Sequence, residues 1–351
     1  MSELIVNTIS GLSDLSVGNT TVNTAITSTG ITQNGDNISP VQSFRNKIIN
    51  GNFDFWQRGT TGTSGYVADR WFNNVVGSTA AISRQSFTLG QTDVPNEPSY
   101  FHRVVVTSVA GASNYGILTQ PIESVRTFAG QTATLSFWAK ADASKNIVVE
   151  FVQSFGTGGS PSSTVDAIGV TTCALTTSWQ KFTITANIPS ISGKTLGTNN
   201  NDYLASSFWF DAGSDFNARI NSLGQQSGTF DIAQVQLEAG SVATPFEMRP
   251  LGTELALCQR YYQGNKSDNT TGDYGNSIFR GQSSSTGNFY YWMPFSTIMR
   301  AIPTMNIGSP TYSNAGSAVF FNATRHGAEI YISVSLAGGY AVIPWRASAE
   351  L

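Results

Sequence analysis

The sequence predicts an all-β protein. Three observations carry this: a composition low in charge and high in glycine and aromatic residues, a long succession of short alternating runs, and a single segment with helical spacing. Charged residues are 12% of the 351, about half the usual share, while aromatics reach 11% and glycines number 34. At this length the chain holds about two domains.

The same composition excludes several function classes. Lys plus Arg is 19 against 22 Asp plus Glu, so the basic excess of a nucleic-acid binder is missing. Cys173 and Cys258 are too few for a disulfide scaffold and are expected to be small buried apolar residues. His102 and His326 cannot build a histidine metal cluster. No apolar run approaches the ~18 residues of a membrane-spanning helix, so no membrane insertion is expected. The start, Met1-Ser2-Glu3-Leu4-Ile5-Val6, lacks the charged and apolar regions of a secretion signal, so synthesis in a cytoplasm is expected.

Residues 1–44 have Glu3, Asp14 and Asp36 but no Lys or Arg, and no aromatic before Phe44. Ile, Val and Thr recur in short runs broken by Gly and Asn, too sparsely for a core of their own. We read this segment as an arm ordered against other chains, with Val22, Ile26 and Ile31 at the contacts. Its scarcity of charge fits a threefold assembly, where each residue meets its own copies and like charges would repel.

Residues 45–250 read as a succession of strands. Phe101 to Thr107 alternates, and Ala133 to Lys140 puts Leu135, Phe137 and Ala139 on one face. Ile147 to Val152, Trp179 to Ile184, Phe208 to Phe210 and Phe230 to Leu237 follow, separated by loops such as Gly156-Thr157-Gly158-Gly159-Ser160-Pro161. About 200 residues of this pattern fit a jelly-roll β-sandwich.

The helix is expected within 251–262 as a connector. Thr253 is the expected N-cap, Glu254 suits the positive end, and Leu251, Leu255, Cys258 and Tyr262 form a stripe that we assign to contacts between copies. Residues 263–351, with strands at 288–295 and 329–336, form a small C-terminal β-sandwich.

Candidate sites are few. Trp138, Trp179 and Trp209 sit inside strands and are assigned to the core. Asp69-Arg70-Trp71 is read as a structural corner rather than a binding platform. Tyr274, Tyr290, Trp292, Tyr312 and Tyr340 occur among Gly, Asn and Ser and are the expected recognition aromatics. Asp142, Glu150, Asp166, Asp202, Asp211 and Asp215 show no spacing that singles out a catalytic pair, and no Ser/His/acid set is visible. Asp54, Asp211 and Asp231 are oxygen donors without a calcium-loop pattern. We therefore expect no catalysis, no metal and no cofactor.

Ordered fragments then carry a resemblance. Asn46-Lys47-Ile48-Ile49-Asn50-Gly51-Asn52-Phe53-Asp54-Phe55-Trp56-Gln57-Arg58-Gly59 and Ala68-Asp69-Arg70-Trp71 open it. Leu135-Ser136-Phe137-Trp138-Ala139-Lys140, Trp179-Gln180-Lys181-Phe182, Val235-Gln236-Leu237-Glu238-Ala239-Gly240 and Ala243-Thr244-Pro245-Phe246-Glu247-Met248-Arg249-Pro250 follow in order, then Leu257-Cys258-Gln259-Arg260-Tyr261-Tyr262 and Met299-Arg300-Ala301-Ile302-Pro303-Thr304. Together they resemble a jelly-roll domain common in bacteriophage tail-fibre and related virion proteins, similar to carbohydrate-binding modules. The resemblance, which covers residues 45–351, implies a homotrimeric virion component that projects β domains toward a host-surface glycan; docking to other virion proteins through residues 1–44 is our own reading of that arm. A head-attached fibre or decoration protein, and a glycan-degrading tailspike, are the alternatives.

Overall fold

The computed structural model describes residues 43–264, 285–308 and 310–351, and the backbone of four short strands within 14–37. The chain divides into two compact units, residues 1–45 and 46–351. In the first, β1 (Asp14–Gly18), β2 (Asn23–Thr27), β3 (Gly30–Gln33) and β4 (Asp36–Asn37) form an antiparallel meander in sequence order. Ile26 pairs in register with Leu15 on one side and Ile31 on the other. Val22 lies outside the described residues.

The second unit is built on a sandwich of two six-stranded antiparallel sheets. The back sheet runs β13 (Val165–Leu175), β12 (Lys145–Ser154), β15 (Tyr203–Ala212), β10 (Tyr115–Glu123), β7 (Phe72–Val76), β6 (Gly65–Tyr66). The front sheet runs β14 (Gln180–Asn187), β11 (Thr132–Ala141), β16 (Gly228–Ala239), β9 (Tyr100–Thr107), β8 (Thr79–Ser86), β5 (Thr61–Gly62). Alternation sets the core, because successive strand residues point to opposite faces. Leu135, Phe137 and Ala139 are fully buried between the sheets and join Ile184, Phe208, Phe230, Val235 and Trp71 in one continuous core.

Strand β16 departs from simple alternation twice. Its pairing with β11 slips between Ser136, opposite Gln236, and Trp138, opposite Ala233, so two residues face Phe137 alone. This β-bulge holds Gln234 at φ +46° and lets Ile232 and Val235, three positions apart, both point inward. The strand is also buried on its outer face: Asp231, Gln234, Gln236 and Glu238 are all less than 4% exposed. Gln236 and Glu238 are held by the strap that follows β16, through Thr244 and the Glu247 amide. Segment 46–51 lies against the same strand, where Val235 N–H donates to Gly51 O (2.8 Å). A Cβ on Gly51 would lie 2.1 Å from Val235 O, so only glycine allows that approach.

Helix α1 (Leu251–Gln259) begins two residues before Thr253, and Pro250 is its N-cap. The Pro250 carbonyl accepts from Thr253 and Glu254 N–H, and no side chain caps the turn. Tertiary contacts decide this: the Glu254 carboxylate takes the Asn50 N–H and Arg249 Nη1 (2.9 Å). The helix buries Glu254 and Cys258, whereas Leu251 is 62% exposed. The burial stripe is therefore rotated from the expected one, and Cys258 and Tyr262 are enclosed within the unit.

The C-terminal strands are β17 (Tyr262–Gly264), β18 (Gly287–Pro294), β19 (Thr304–Ile307), β20 (Thr311–Ser313), β21 (Ala315–Phe321), β22 (Gly327–Val334), β23 (Tyr340–Val342) and β24 (Trp345–Ser348). They form sheets β17-β24-β19, β18-β22-β21 and β20-β23, with one small core of Ile330, Ile332, Val334, Ala341 and Ile343 and a second at β24 of Met299, Ala347 and Ala349.

A buried ionic cluster joins them to the sandwich. Arg70, with 1% of its side chain exposed, bonds Glu350 and the Pro121 carbonyl and lies 3.5 Å over the Tyr261 ring. Arg58 bridges Asp69 (3.2 Å) and Glu350 (2.8 Å) and lies 3.6 Å over the Tyr262 ring. Asp69-Arg70-Trp71 is thus a structural corner, with Trp71 Nε1 donating to Asn50 O (3.0 Å). Removing one partner of such a pair leaves a buried uncompensated charge, typically costing ~3–5 kcal/mol. Glu350→Ala should lower the urea unfolding free energy by about 3 kcal/mol or more; a loss under about 1 kcal/mol would contradict this role.

His102 supplies a second test. Its ring is fully buried between Phe53 and Trp56, neither nitrogen has a partner, and burial pushes its pKa down to about 3. The unfolded chain takes up this proton near pH 6.5, so stability present above that pH is lost as pH falls toward 3. Between pH 7 and pH 4.5 the protein should lose about 2–3 kcal/mol more than its His102→Phe variant. Equal losses in both would contradict a neutral buried ring.

Candidate functional site

The two outer faces of the sandwich differ. The back sheet is closed by residues 213–224, whose Phe216, Ile220 and Leu223 pack on Val148, Trp209 and Tyr115. Glu150 locks this cover: its carboxylate accepts from Trp209 Nε1 (2.9 Å), Arg219 Nη2 (2.6 Å) and Ala167 N–H (2.8 Å).

The front sheet keeps an opening at the β16 bulge. A pocket of about 330 Å³ lies between the loop preceding β9 and the strap after β16. Its floor is Ser136, Trp138 and Gln234; its walls are Pro95 and Asn96 on one side and Ala243, Pro245 and Phe246 on the other, with Lys181 at the sheet edge. The bulge builds it: Gln234 Nε2 donates to Pro95 O (2.6 Å), which ties the loop to the strand. Bulges and strained φ values concentrate where a side chain must be re-aimed. Phe246 is also a wall of a neighbouring cavity of about 440 Å³. That cavity is lined by Asp54, Glu97, Glu247, Glu254 and Arg249, and burial raises the Asp54 pKa.

These positions correct the core assignment of two tryptophans. Trp138 stands on the opposite face of β11 from Phe137, as strand parity requires, and lines the pocket. Trp179 lies on the same outer face, against Phe87 (5.2 Å), Phe101 (5.2 Å) and the Lys140 ammonium (5.2 Å). Trp209 is buried, 1% exposed, beneath the back-sheet cover.

Of the expected recognition aromatics, Tyr290 (62% exposed) and Trp292 (51%) share the outer face of β18. Tyr290 has Phe321 and Tyr331 as ring neighbours at 5.7 and 5.9 Å. The Trp292 ring packs close over Gly327, where a Cβ would come within 2.6 Å of it. Tyr312 instead packs on the small core and accepts from Ala318 N–H (2.9 Å). Tyr274 and the Tyr340 side chain lie outside the described residues.

Each of the six strand and loop acids has an internal partner, and two of them, Glu150 and Asp166, share Arg219. Asp166 joins Glu150 on Arg219, Asp202 takes Ser124, Asp211 takes Ser78 and Ser108, Asp215 takes Ser113, and Asp142 takes Thr229 N–H. Among the described residues no group of three His, Cys, Asp or Glu is placed to hold a metal ion. Asp231 is engaged by Arg103 in two bonds of 2.7 and 2.8 Å.

No protein-family model matches the sequence, and no curated protein matches it. Solved structures similar to this chain include the enzymatically active domain of tailspike protein 4 from bacteriophage CBA120 (14% identity, TM-score 0.33, 59% of this chain and 22% of that one). They also include a family 11 carbohydrate-binding module from Clostridium thermocellum, in complex with a mixed-linked tetrasaccharide (12%, 0.31, 53% and 99%). A xylan-binding domain from Paenibacillus barcinonensis is a third (15%, 0.31, 51% and 99%). The chain spans about a fifth of the length of that tailspike domain.

Tyr290 and Trp292 contribute surface rather than core. Replacing both with Ser should change the unfolding free energy by less than about 1 kcal/mol. A loss above about 3 kcal/mol would place them in the fold's support.

Proposed function

We propose that this protein binds carbohydrate through the front-sheet pocket, as a structural, non-catalytic fibre component of a bacteriophage virion. The observation that carries the binding reading is the pocket itself. Half-buried Trp138 lines it beside the amides of Asn96 and Gln234 and the Ser136 hydroxyl, in a recess framed by Pro95, Pro245 and Phe246. A pyranose offers one apolar face of C–H groups and a rim of hydroxyls. An aromatic floor with a few convergent polar groups answers both, and such mixed lining is usual for small-ligand sites.

The virion reading rests on the ordered resemblance across residues 45–351, and the division of the chain at residue 45 is consistent with a separate docking arm. The proposed homotrimer is assigned chiefly to residues 1–44. Of the stripe Leu251, Leu255, Cys258 and Tyr262, only Leu251 is strongly exposed and Cys258 and Tyr262 are buried, so the stripe contributes little to contacts between copies. Binding without turnover is supported by the internal partners that hold each of the acids named above, with Glu150 and Asp166 both on Arg219.

Trp138→Ala is the direct test. On an array of neutral and acidic polysaccharides, wild type should bind at least one, and the variant should bind it at least about tenfold more weakly, a loss of ~1.4 kcal/mol. Equal binding by the folded variant would move recognition away from this pocket.

A further inference from the structure

The lining of the front-sheet pocket points to a narrower ligand class. We infer that it takes a sugar bearing a carboxylate, with Lys181 as the selecting residue; this rests on the carbohydrate reading above. Lys181 is the register partner of Trp138 across β14 and β11, so the ammonium and the indole share the outer face. Its side chain is exposed, and among the described residues it has no ion-pair partner.

The other cations near this face are already engaged. Asp231 takes Arg103 at 2.7 Å and has the Lys140 ammonium at 3.9 Å. Lys140 also lies 5.2 Å from the Trp179 ring. No carboxylate lines the pocket, so nothing in its described lining neutralises Lys181.

The neighbouring cavity has the opposite character. Asp54, Glu97, Glu247 and Glu254 face one Arg249 there. An anionic ligand is therefore repelled on that side of Phe246 and drawn to the Lys181 side. A neutral sugar would use the ring and the amides alone and leave the ammonium in water. A sugar carboxylate adds a charge-assisted bond, about twice as strong as a neutral one. The ring fixes the sugar plane, and the cation at the sheet edge selects which substituent points outward.

The test uses the full chain and paired polymers. Polygalacturonate, alginate, hyaluronate and polysialic acid are each compared with their carboxyl-reduced forms, alongside neutral xylan, galactan and mixed-linked glucan. Wild type should bind at least one acidic polymer about tenfold more tightly than its reduced form. The preference should weaken as salt rises from about 50 to about 500 mM, where exposed charges are screened. Lys181→Gln should abolish the preference while keeping residual binding, and Lys181→Arg should retain it. Trp138→Ala should weaken acidic and reduced forms alike. Equal binding of acidic and reduced forms by wild type, or a preference that survives Lys181→Gln, overturns this inference. Binding confined to neutral polymers also overturns it but leaves the carbohydrate reading standing. Binding to none of the polymers removes both.

Discussion

Strand β16 carries the constraint on which the front of the molecule depends. It is buried on both faces, yet its outward residues are Asp231, Gln234, Gln236 and Glu238. Buried polar groups must find partners, because an unpaired one costs about 1–3 kcal/mol. Three separate segments supply them: Arg103 answers Asp231, the Pro95 carbonyl answers Gln234, and the strap at 244–247 answers Gln236 and Glu238. Each partner must travel over the sheet to reach its donor or acceptor. The loop and the strap are drawn in from opposite sides and stop at the bulge, so the gap between them is the pocket. The site is in this sense a by-product of satisfying one polar strand.

The rear of the unit is organised by charge rather than by amide chemistry. Arg58 and Arg70, sandwiched between Asp69, Glu350 and the rings of Tyr261 and Tyr262, fix the last residues of the chain against the corner that precedes β7. Strand β24 then pairs with β17 directly after α1, so helix, corner and C-terminal sheet share one joint. In a chain of low overall charge, this cluster places two arginines and two carboxylates where two parts of the fold must meet.

Much of this was legible in the residues. Alternation located β11, β14 and β16, and the order of Leu135, Phe137 and Ala139 named the core face correctly. The same parity puts Trp138 on the other face, but a default preference for burying tryptophan outweighed it. Trp179 likewise lies on the outer face despite the general preference for burying tryptophan. The bulge at Gln234 has no local signal, since neither glycine nor a turn residue marks it, and it follows from register against β11. Thr253 has the right chemistry for an N-cap, yet Glu254 was already committed to Asn50 and Arg249, which starts the helix at Leu251. The pocket walls come from residues about 40 and 100 positions away from Trp138, a distance no local pattern bridges.

The seven tryptophans offer the most direct test of the central claim, that recognition sits at the bulge of the front sheet. Each indole N–H gives its own signal in a 15N-labelled sample titrated with a short oligomer of whichever polysaccharide the protein binds. The account predicts that the Trp138 signal moves with saturable dependence on the oligomer, that Trp71 and Trp209 stay fixed, and that Trp292 stays fixed as well. A shift at Trp292 with Trp138 unmoved would contradict it and place recognition on the C-terminal sheet.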